Sequence, residues 1–168
     1  MNEPDVPFRE EDLEAVRIRA LVMDPVSSVP VVVLESEAGG TLLPIWIGLC
    51  EANAIALAME SVATPRPMTH DLLVSIIEAT GHRVERVVIH ALEHNVFHAV
   101  LLLSGANGNI PVDSRPSDAL ALAVRMQTPL FVTRGVLSEA AFRERSESEL
   151  IRAVLEKIPA EDLGRWKM

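Results

Sequence analysis

Short runs in which hydrophobic and polar residues alternate predict the first strands of the chain. Residues 15–23 (AVRIRALVM) alternate in this way, and residues 30–36 (PVVVLES) follow a turn. A glycine pair then closes a hairpin into a third strand at residues 41–47. Pro44 cannot donate a backbone hydrogen bond, which predicts an edge position or a bulge for this strand.

Two helices are predicted after these strands. Residues 48–63 are rich in alanine and other helix formers, and the loop that contains Pro65 and Pro67 ends the helix. Thr69 is the expected N-cap of a second helix that continues to Thr80.

The strand pattern returns after residue 81. A further helix is expected to open near Pro116, and its apolar continuation predicts that it is buried. Strands are predicted on both sides of this helix, at residues 82–92, 96–104, 110–113 and 129–134.

A shift of the chain against itself by 65 residues aligns residues 45–59 with 110–124, with five identities in fifteen positions. The order of hairpin, short strand and helix repeats in both halves. Four identities lie in an Ala/Leu-rich helix, where coincidence is common, so an internal duplication is one of two open interpretations.

The length of 168 residues predicts one main domain with two flanking segments. Residues 1–14 hold six acids and one base, which predicts a flexible acidic N-terminal tail. Residues 15–137 form the expected domain. Residues 138–168 are expected to be a C-terminal helical extension and tail, with Ser146 and Glu149 as a capping box.

Residue types that are rare in the sequence exclude several kinds of chemistry. Lys157 and Lys167 are the only lysines, so a P-loop and a lysine Schiff base have no candidate residue in the main domain. Cys50 is the only cysteine, which excludes a disulfide framework within the chain and predicts a cytoplasmic protein. No apolar run is long enough for a membrane span, and the net charge of −9 argues against general affinity for nucleic acid.

The segment His90-Ala91-Leu92-Glu93-His94 matches an H-x-x-E-H zinc-protease pattern. Its flanks are β-branched, which favours a strand and excludes the helix that such a metal site requires. If Leu92 pairs with Val96, His90 lies opposite His98 on one face of a hairpin. We interpret this pair as packed histidines.

Glu51 lies on the apolar stripe of the first predicted helix. One interpretation is that its charge stabilises the helix N-terminus, and the other is a ligand or catalytic role.

The densest polar cluster is the DSRPSD segment between a short strand and the buried helix. Free N–H groups at a helix start bind anions, so Ser114, Arg115 and Ser117 are candidate phosphate ligands. Asp113 and Asp118 are candidate metal ligands. The alternative is that Ser114 and Asp118 cap the helix while Arg115 pairs with Asp113.

A second cluster, at residues 66–71, places a cation, an imidazole and a carboxylate at a helix start. Arg66 is a candidate phosphate ligand, and His70 and Asp71 are candidate catalytic residues. Capping by Thr69 and the helix dipole explain Asp71, but they give no reason for His70.

The motifs PVVVLES, LPIWIGLCEANAIALAME, PRPMTHDLL and DSRPSDALALA resemble the bifunctional nuclease family of bacteria and plants. The resemblance spans residues 15–137. It implies an α+β fold with a strongly curved mixed sheet, a homo-oligomer, and cleavage of both DNA and RNA.

Two hypotheses follow. The first is a nuclease that depends on Mg²⁺ or Mn²⁺ and cleaves DNA and RNA with little sequence selectivity, in which His70, Asp71 and Glu51 supply catalytic groups. The second is a non-catalytic, oligomeric binding or regulatory module, in which the same polar residues cap helices and fix subunit contacts.

Overall fold

The computed structural model describes residues 6–140 and residue 156. A 3₁₀ turn at Glu10–Asp12 comes first. In chain order the elements that follow are β1 (Leu13–Met23), β2 (Pro30–Ser36), β3 (Leu42–Trp46), α1 (Leu49–Met59), α2 (Thr69–Ala79), β4 (Arg83–Glu93), β5 (Val96–Gly105), β6 (Gly108–Ser114), α3 (Pro116–Met126) and β7 (Leu130–Thr133).

The seven strands form one sheet with the order β3-β2-β1-β7-β4-β5-β6. Each half is an antiparallel meander. The last strand, β7, joins the halves, because it pairs antiparallel with β1 and parallel with β4. The sheet is therefore mixed, and the predicted α+β fold is confirmed.

Helices α1 and α3 pack against each other over the main core, and α2 packs on α3. Residues 119–123 of α3 are all buried, which confirms the buried helix that the sequence predicts. Val31 and Val33 are completely buried on the opposite face of the sheet, together with Ala20 and Val22. The apolar run of β2 is thus covered on both faces.

Helix α2 differs from the other helices because it has no buried residue. Leu72 and Ile76 are 53% and 50% exposed, and Leu73 and Met68 are exposed beside them. These four residues are called the α2 apolar face below. No helix of residues 6–140 is long and apolar enough to cross a membrane.

Two helix boundaries differ from the prediction. Helix α1 ends at Met59, because Ser61 adopts a left-handed conformation with φ of 52°. Thr69 is not the N-cap of α2; Met68 occupies that position, and its backbone N–H donates to Asp71 Oδ2 at 2.9 Å. The carboxylate of the third helical residue thus satisfies the backbone N–H of the N-cap residue, whereas a capping hydroxyl would accept from an N–H of the first helical turn.

The segment before the main domain contacts the sheet. Strand β1 begins at Leu13, and Glu10 accepts two hydrogen bonds of 2.7 Å from Arg86 on β4. The Arg86 guanidinium also lies 5.8 Å from the centre of the Phe8 ring. The described part of the predicted tail is therefore docked. Beyond β7, positions 134–140 are helical, and the predicted capping box at residues 146–149 lies outside the described residues.

The predicted pairing of the β4–β5 hairpin is off by one residue. Leu92 pairs with Phe97 and Ala91 pairs with His98, with a bulge between Ile89 and Ala91. The bulge leaves His90 without a direct partner but still brings its ring to 6.2 Å from that of His98. His90 lies in a strand, so the structure excludes the helical zinc-protease interpretation.

The structure does not confirm the internal duplication. Each meander is followed by a helix, but α1 and α3 begin at Leu49 and Pro116, which are 67 positions apart. The alignment at 65 residues therefore sets non-equivalent helix positions against each other.

Candidate functional site

The first turns of the three α-helices meet in one polar cluster. The third residue of each helix is an acid: Glu51 in α1, Asp71 in α2 and Asp118 in α3. An acid at this position is favoured by the free N–H groups and by the helix dipole. The interpretation that the charge of Glu51 stabilises the helix N-terminus is therefore correct. Tertiary packing in addition places each of the three acids in a contact with another charged or polar side chain.

Arg115 links two of these acids. Its Nε donates to Asp118 Oδ2 at 2.7 Å, and its Nη1 donates to Glu51 Oε1 at 3.1 Å. The predicted pairing of Arg115 with Asp113 is wrong. The hydrogen bond with Asp118 raises the pKa of Arg115, yet the Arg115 side chain is 66% exposed. It is a cation that is oriented by protein carboxylates and accessible from solvent.

His70 contacts the other oxygen of Asp118. Its Nε2 lies 3.1 Å from Asp118 Oδ1, and its side chain is 12% exposed. A carboxylate only accepts hydrogen bonds, so Nε2 is the donor and carries a proton; in a neutral imidazole Nδ1 then holds the lone pair. Burial alone raises the pKa of Asp118, but hydrogen bonds from Arg115 and His70 outweigh it and lower the pKa overall. Asp118 therefore remains ionised and holds the imidazole.

Asp71 belongs to a neighbouring ion pair. Arg125 Nε donates to Asp71 Oδ1 at 2.6 Å, while Arg125 Nη1 donates to the carbonyls of Ala54 and Ala121. The hydrogen bond from Arg125 lowers the pKa of Asp71 below its usual value. One nearly buried guanidinium thus ties α1, α2 and α3 together beside the cluster.

Sequence reasoning missed Arg125. Its position offers a signal, since it follows Asp118 by seven residues and therefore lies on the same side of α3.

A pocket of about 270 Å³ opens beside Arg115, between the end of β3, the first turns of α1 and α3, and the tip of the β4–β5 hairpin. Its polar lining residues are Glu51, Asn95, Arg115 and Ser117, and Trp46 and Phe97 are aromatic residues of its wall. The indole N–H of Trp46 donates to Asp24 Oδ2 at 3.2 Å. Trp46 is a second residue of the site that was not predicted from the sequence.

Gly48 leaves room for the close approach of the Glu51 side chain. A Cβ at position 48 would overlap the Glu51 carboxylate, which folds back over the start of α1 to reach Arg115. The backbone φ of −72° suits any residue, so a side chain at position 48 would have to displace only the flexible end of Glu51.

The remaining predicted residues lie apart from the cluster or point elsewhere. Asp113 is exposed on β6 opposite Val100, and Arg66 is exposed in the loop before α2. Ser114 Oγ donates to the Arg115 carbonyl. Ser117 is buried and lines the pocket.

The described carboxylates do not make a ready metal site. No group of three or more His, Cys, Asp or Glu side chains in residues 6–140 is arranged to hold a metal ion. Both oxygens of Asp118 are engaged by Arg115 and His70, and Asp113 does not join them. The predicted ligand set does not fit a divalent cation in this arrangement.

Comparison with known proteins gives a consistent answer. Residues 32–145 match the sequence profile of a family described as the bifunctional nuclease domain. An uncharacterized protein of Mycobacterium tuberculosis (strain ATCC 25618 / H37Rv) is 39% identical over 143 residues, which are 84% of this chain and 85% of that protein.

Plant proteins are similar over a shorter segment. Bifunctional nuclease 1 of Arabidopsis thaliana is 32% identical over 109 residues, 62% of this chain and 34% of the plant protein. Bifunctional nuclease 2 of Oryza sativa subsp. japonica is 32% identical over 111 residues, with 64% and 34% covered. The matched profile includes all three helices of the cluster and most of the sheet. The chain belongs to the bifunctional nuclease domain family.

Proposed function

We propose that this protein is a nuclease that hydrolyses phosphodiester bonds of DNA and RNA with little sequence selectivity. The names of the plant relatives support the reaction class. The observation that supports the location of the active site is the hydrogen bond between His70 and Asp118 beside the solvent-accessible Arg115.

In this proposal Asp118 orients His70, and the free Nδ1 of His70 exchanges a proton with the attacking water or the leaving oxygen. Arg115 exchanges its longer bond to Glu51 for a phosphate oxygen and holds the charge that develops on the phosphate. Asp71 contributes through Arg125, which fixes the position of α2 and therefore of His70.

Arg66, Ser114 and Ser117 stay in the proposal as residues for more remote phosphates. Arg66 is exposed near the start of α2, and Ser114 and Ser117 flank the first turn of α3.

A requirement for Mg²⁺ or Mn²⁺ remains a prediction, and no step above is routed through a metal. Asp113 and Asp118 belong to no group of three or more described His, Cys, Asp or Glu side chains that could hold a metal ion, so a divalent ion needs either a rearranged Asp118 or oxygens of the substrate. Activity that EDTA abolishes and Mg²⁺ or Mn²⁺ restores would establish the requirement.

The nuclease is tested with wild type, His70→Gln and the control His94→Asn, each purified through the same columns. His94 is exposed in the hairpin turn, where its φ of 49° suits asparagine. We expect cleavage of DNA and RNA by His70→Gln to fall at least about 100-fold. Equal activity in all three preparations would overturn the assignment of a catalytic role to His70.

The alternative, a non-catalytic oligomeric module, is favoured by the α2 apolar face, which no described part of the chain covers. We also propose that this face forms a homo-oligomer, because burial of exposed leucine and isoleucine side chains is favourable. Oligomer formation is compatible with either function. A cytoplasmic location is part of the same proposal.

A further inference from the structure

The pocket beside Arg115 has the dimensions and chemistry of a site for one flat ring. Its volume of about 270 Å³ lies just below the range typical of sites for drug-sized ligands, about 300–1,000 Å³. Apolar side chains from β3 and from the hairpin tip form most of its wall, and its polar residues include Glu51 and Arg115. Such a site suits a small aromatic group that is attached to an anion.

Trp46 is held in place within this wall. The indole is 40% exposed, and Asp24 Oδ2 accepts its N–H at 3.2 Å. Hydrogen bonds from Ser27, Val26 and Trp46 lower the pKa of Asp24 to about 2. Asp24 is therefore ionised at any working pH, and the indole is oriented before a ligand arrives, which reduces the entropy lost on binding.

Arg115 belongs both to this pocket and to the polar cluster. A phosphate on Arg115 would therefore lie at the rim of the pocket, with its adjacent base within reach of Trp46. A base in a duplex is stacked on both faces and paired along its edge, so it cannot enter a pocket of this size. An unpaired base can stack on an indole, and this contact tolerates any sequence.

We propose that this pocket binds one unpaired nucleobase against Trp46 and thereby makes the enzyme selective for single-stranded DNA and RNA. The inference rests on the proposed nuclease function, because it takes Arg115 as the phosphate ligand. It assigns to Trp46 a function in substrate specificity and to Asp24 a positioning function for the indole.

Binding is measured directly by tryptophan fluorescence. The chain has two tryptophans, and the other, Trp166, lies outside the described residues. In Trp166→Phe, fluorescence reports on Trp46 alone. We expect a single-stranded hexanucleotide to quench it, and an abasic oligonucleotide of the same length and charge to leave it unchanged.

The contribution of Trp46 to binding is tested with the variants Trp46→Ala and Trp46→Phe and the control Leu49→Ala. The affinity of each protein for a labelled oligonucleotide is measured by fluorescence anisotropy. Leu49 is exposed near the pocket but does not line it. Loss of one stacking contact predicts affinity for the single strand about 5- to 150-fold lower in Trp46→Ala. Trp46→Phe should recover most of this loss, and Leu49→Ala should bind as wild type does. Binding of the abasic oligonucleotide should be the same in all four proteins.

The outcomes separate this inference from the nuclease itself. If wild type cleaves single strands and duplexes equally well, or if Trp46→Ala binds the hexanucleotide as wild type does, the pocket inference is wrong although the nuclease stands. If His70→Gln retains full activity while Trp46→Ala loses affinity, the base site stands and the catalytic assignment is wrong. A correctly folded Trp46→Ala, judged by circular dichroism, is required for either comparison.

Discussion

The Nε2 atom of His70 lies 3.1 Å from the Oδ1 atom of Asp118, although the residues are 48 positions apart in the sequence. His70 is the second residue of α2, and Asp118 is the third residue of α3. The contact exists because α2 packs against the buried α3. It gives the imidazole a fixed orientation and a defined protonated nitrogen, which are the requirements for a general acid or base.

Replacement of Arg115 separates a phosphate ligand from a purely structural residue. We expect Arg115→Ala to lower cleavage at least tenfold, because a charge-assisted contact with phosphate is lost. Arg115→Lys should recover only part of the rate, since an ammonium cannot reproduce the planar fork. The side chain is largely exposed, so the melting temperature should change little. Full activity with a much lower melting temperature would contradict the phosphate site.

Gly48→Ala tests whether the position of Glu51 matters. The new methyl group would displace the flexible end of Glu51 and break its contact with Arg115, while the backbone keeps its conformation. We expect a loss of activity similar to that of Glu51→Gln, because Arg115 loses a carboxylate that orients it before phosphate binds, with a melting temperature near that of wild type. Gly39→Ala is the control, because no atom lies within 4 Å of a Cβ at that position. Wild-type cleavage by Gly48→Ala would show that the Glu51–Arg115 contact is dispensable.

Arg125 should contribute more to stability than any other arginine of the cluster. Its side chain is 10% exposed, and its removal takes the Nε donor from Asp71 Oδ1 and the Nη1 donor from the carbonyls of Ala54 and Ala121. We expect Arg125→Ala to lower the free energy of unfolding by about 1–3 kcal/mol, a value reduced for the partial exposure of Asp71. Arg66→Ala, in an exposed loop, should stay within about 0.5 kcal/mol of wild type. Urea denaturation measures both, and an equal effect would contradict the assignment.

The lowered pKa of His90 predicts that the protein loses stability in mild acid. Burial lowers the pKa of His90 below its usual 6.5, and the charge of His98 lowers it further, while Asp113 and Glu93 act in the opposite direction. The unfolded chain therefore binds a proton more readily than the folded protein below pH 6.5. This contribution to stability is complete above that pH and is lost as the pH falls.

The free energy of unfolding of His90→Gln should consequently depend less on pH between about 5 and 6.5 than that of wild type. His94→Asn, in the exposed turn, should keep the wild-type dependence. Parallel curves for wild type and His90→Gln would contradict this explanation.

The α2 apolar face predicts the state of assembly. Leu72→Glu combined with Ile76→Glu should shift the protein toward the 18.4 kDa monomer in analytical ultracentrifugation, because charges would be placed in the buried contact. Val26→Glu is the matched control, since Val26 is exposed in a turn outside this face. A wild-type protein that sediments only as a monomer at micromolar concentration would refute the oligomer.

Hydrophobic periodicity, together with turn and capping residues, identified the seven strands and the helices α1, α2 and α3 of this protein. An alternating or continuous apolar run reports how a segment is buried, and that information is local. It was sufficient for β2 and for the buried helix α3, because their residues face the core whatever their partners are. The clusters around His70 and Arg115 were also visible, as polar residues concentrated at two helix starts.

Only the tertiary structure decided which charges meet. Arg115 pairs with Asp118 and Glu51, whereas Asp113 lies on β6 opposite Val100. The placement of β7 between β1 and β4 had no local signal either. These contacts depend on the packing of elements that are distant in the sequence, and a difference of one or two ångströms decides whether a hydrogen bond forms. Residue patterns record burial, whereas the geometry of the site arises only when the three helices pack together on the sheet.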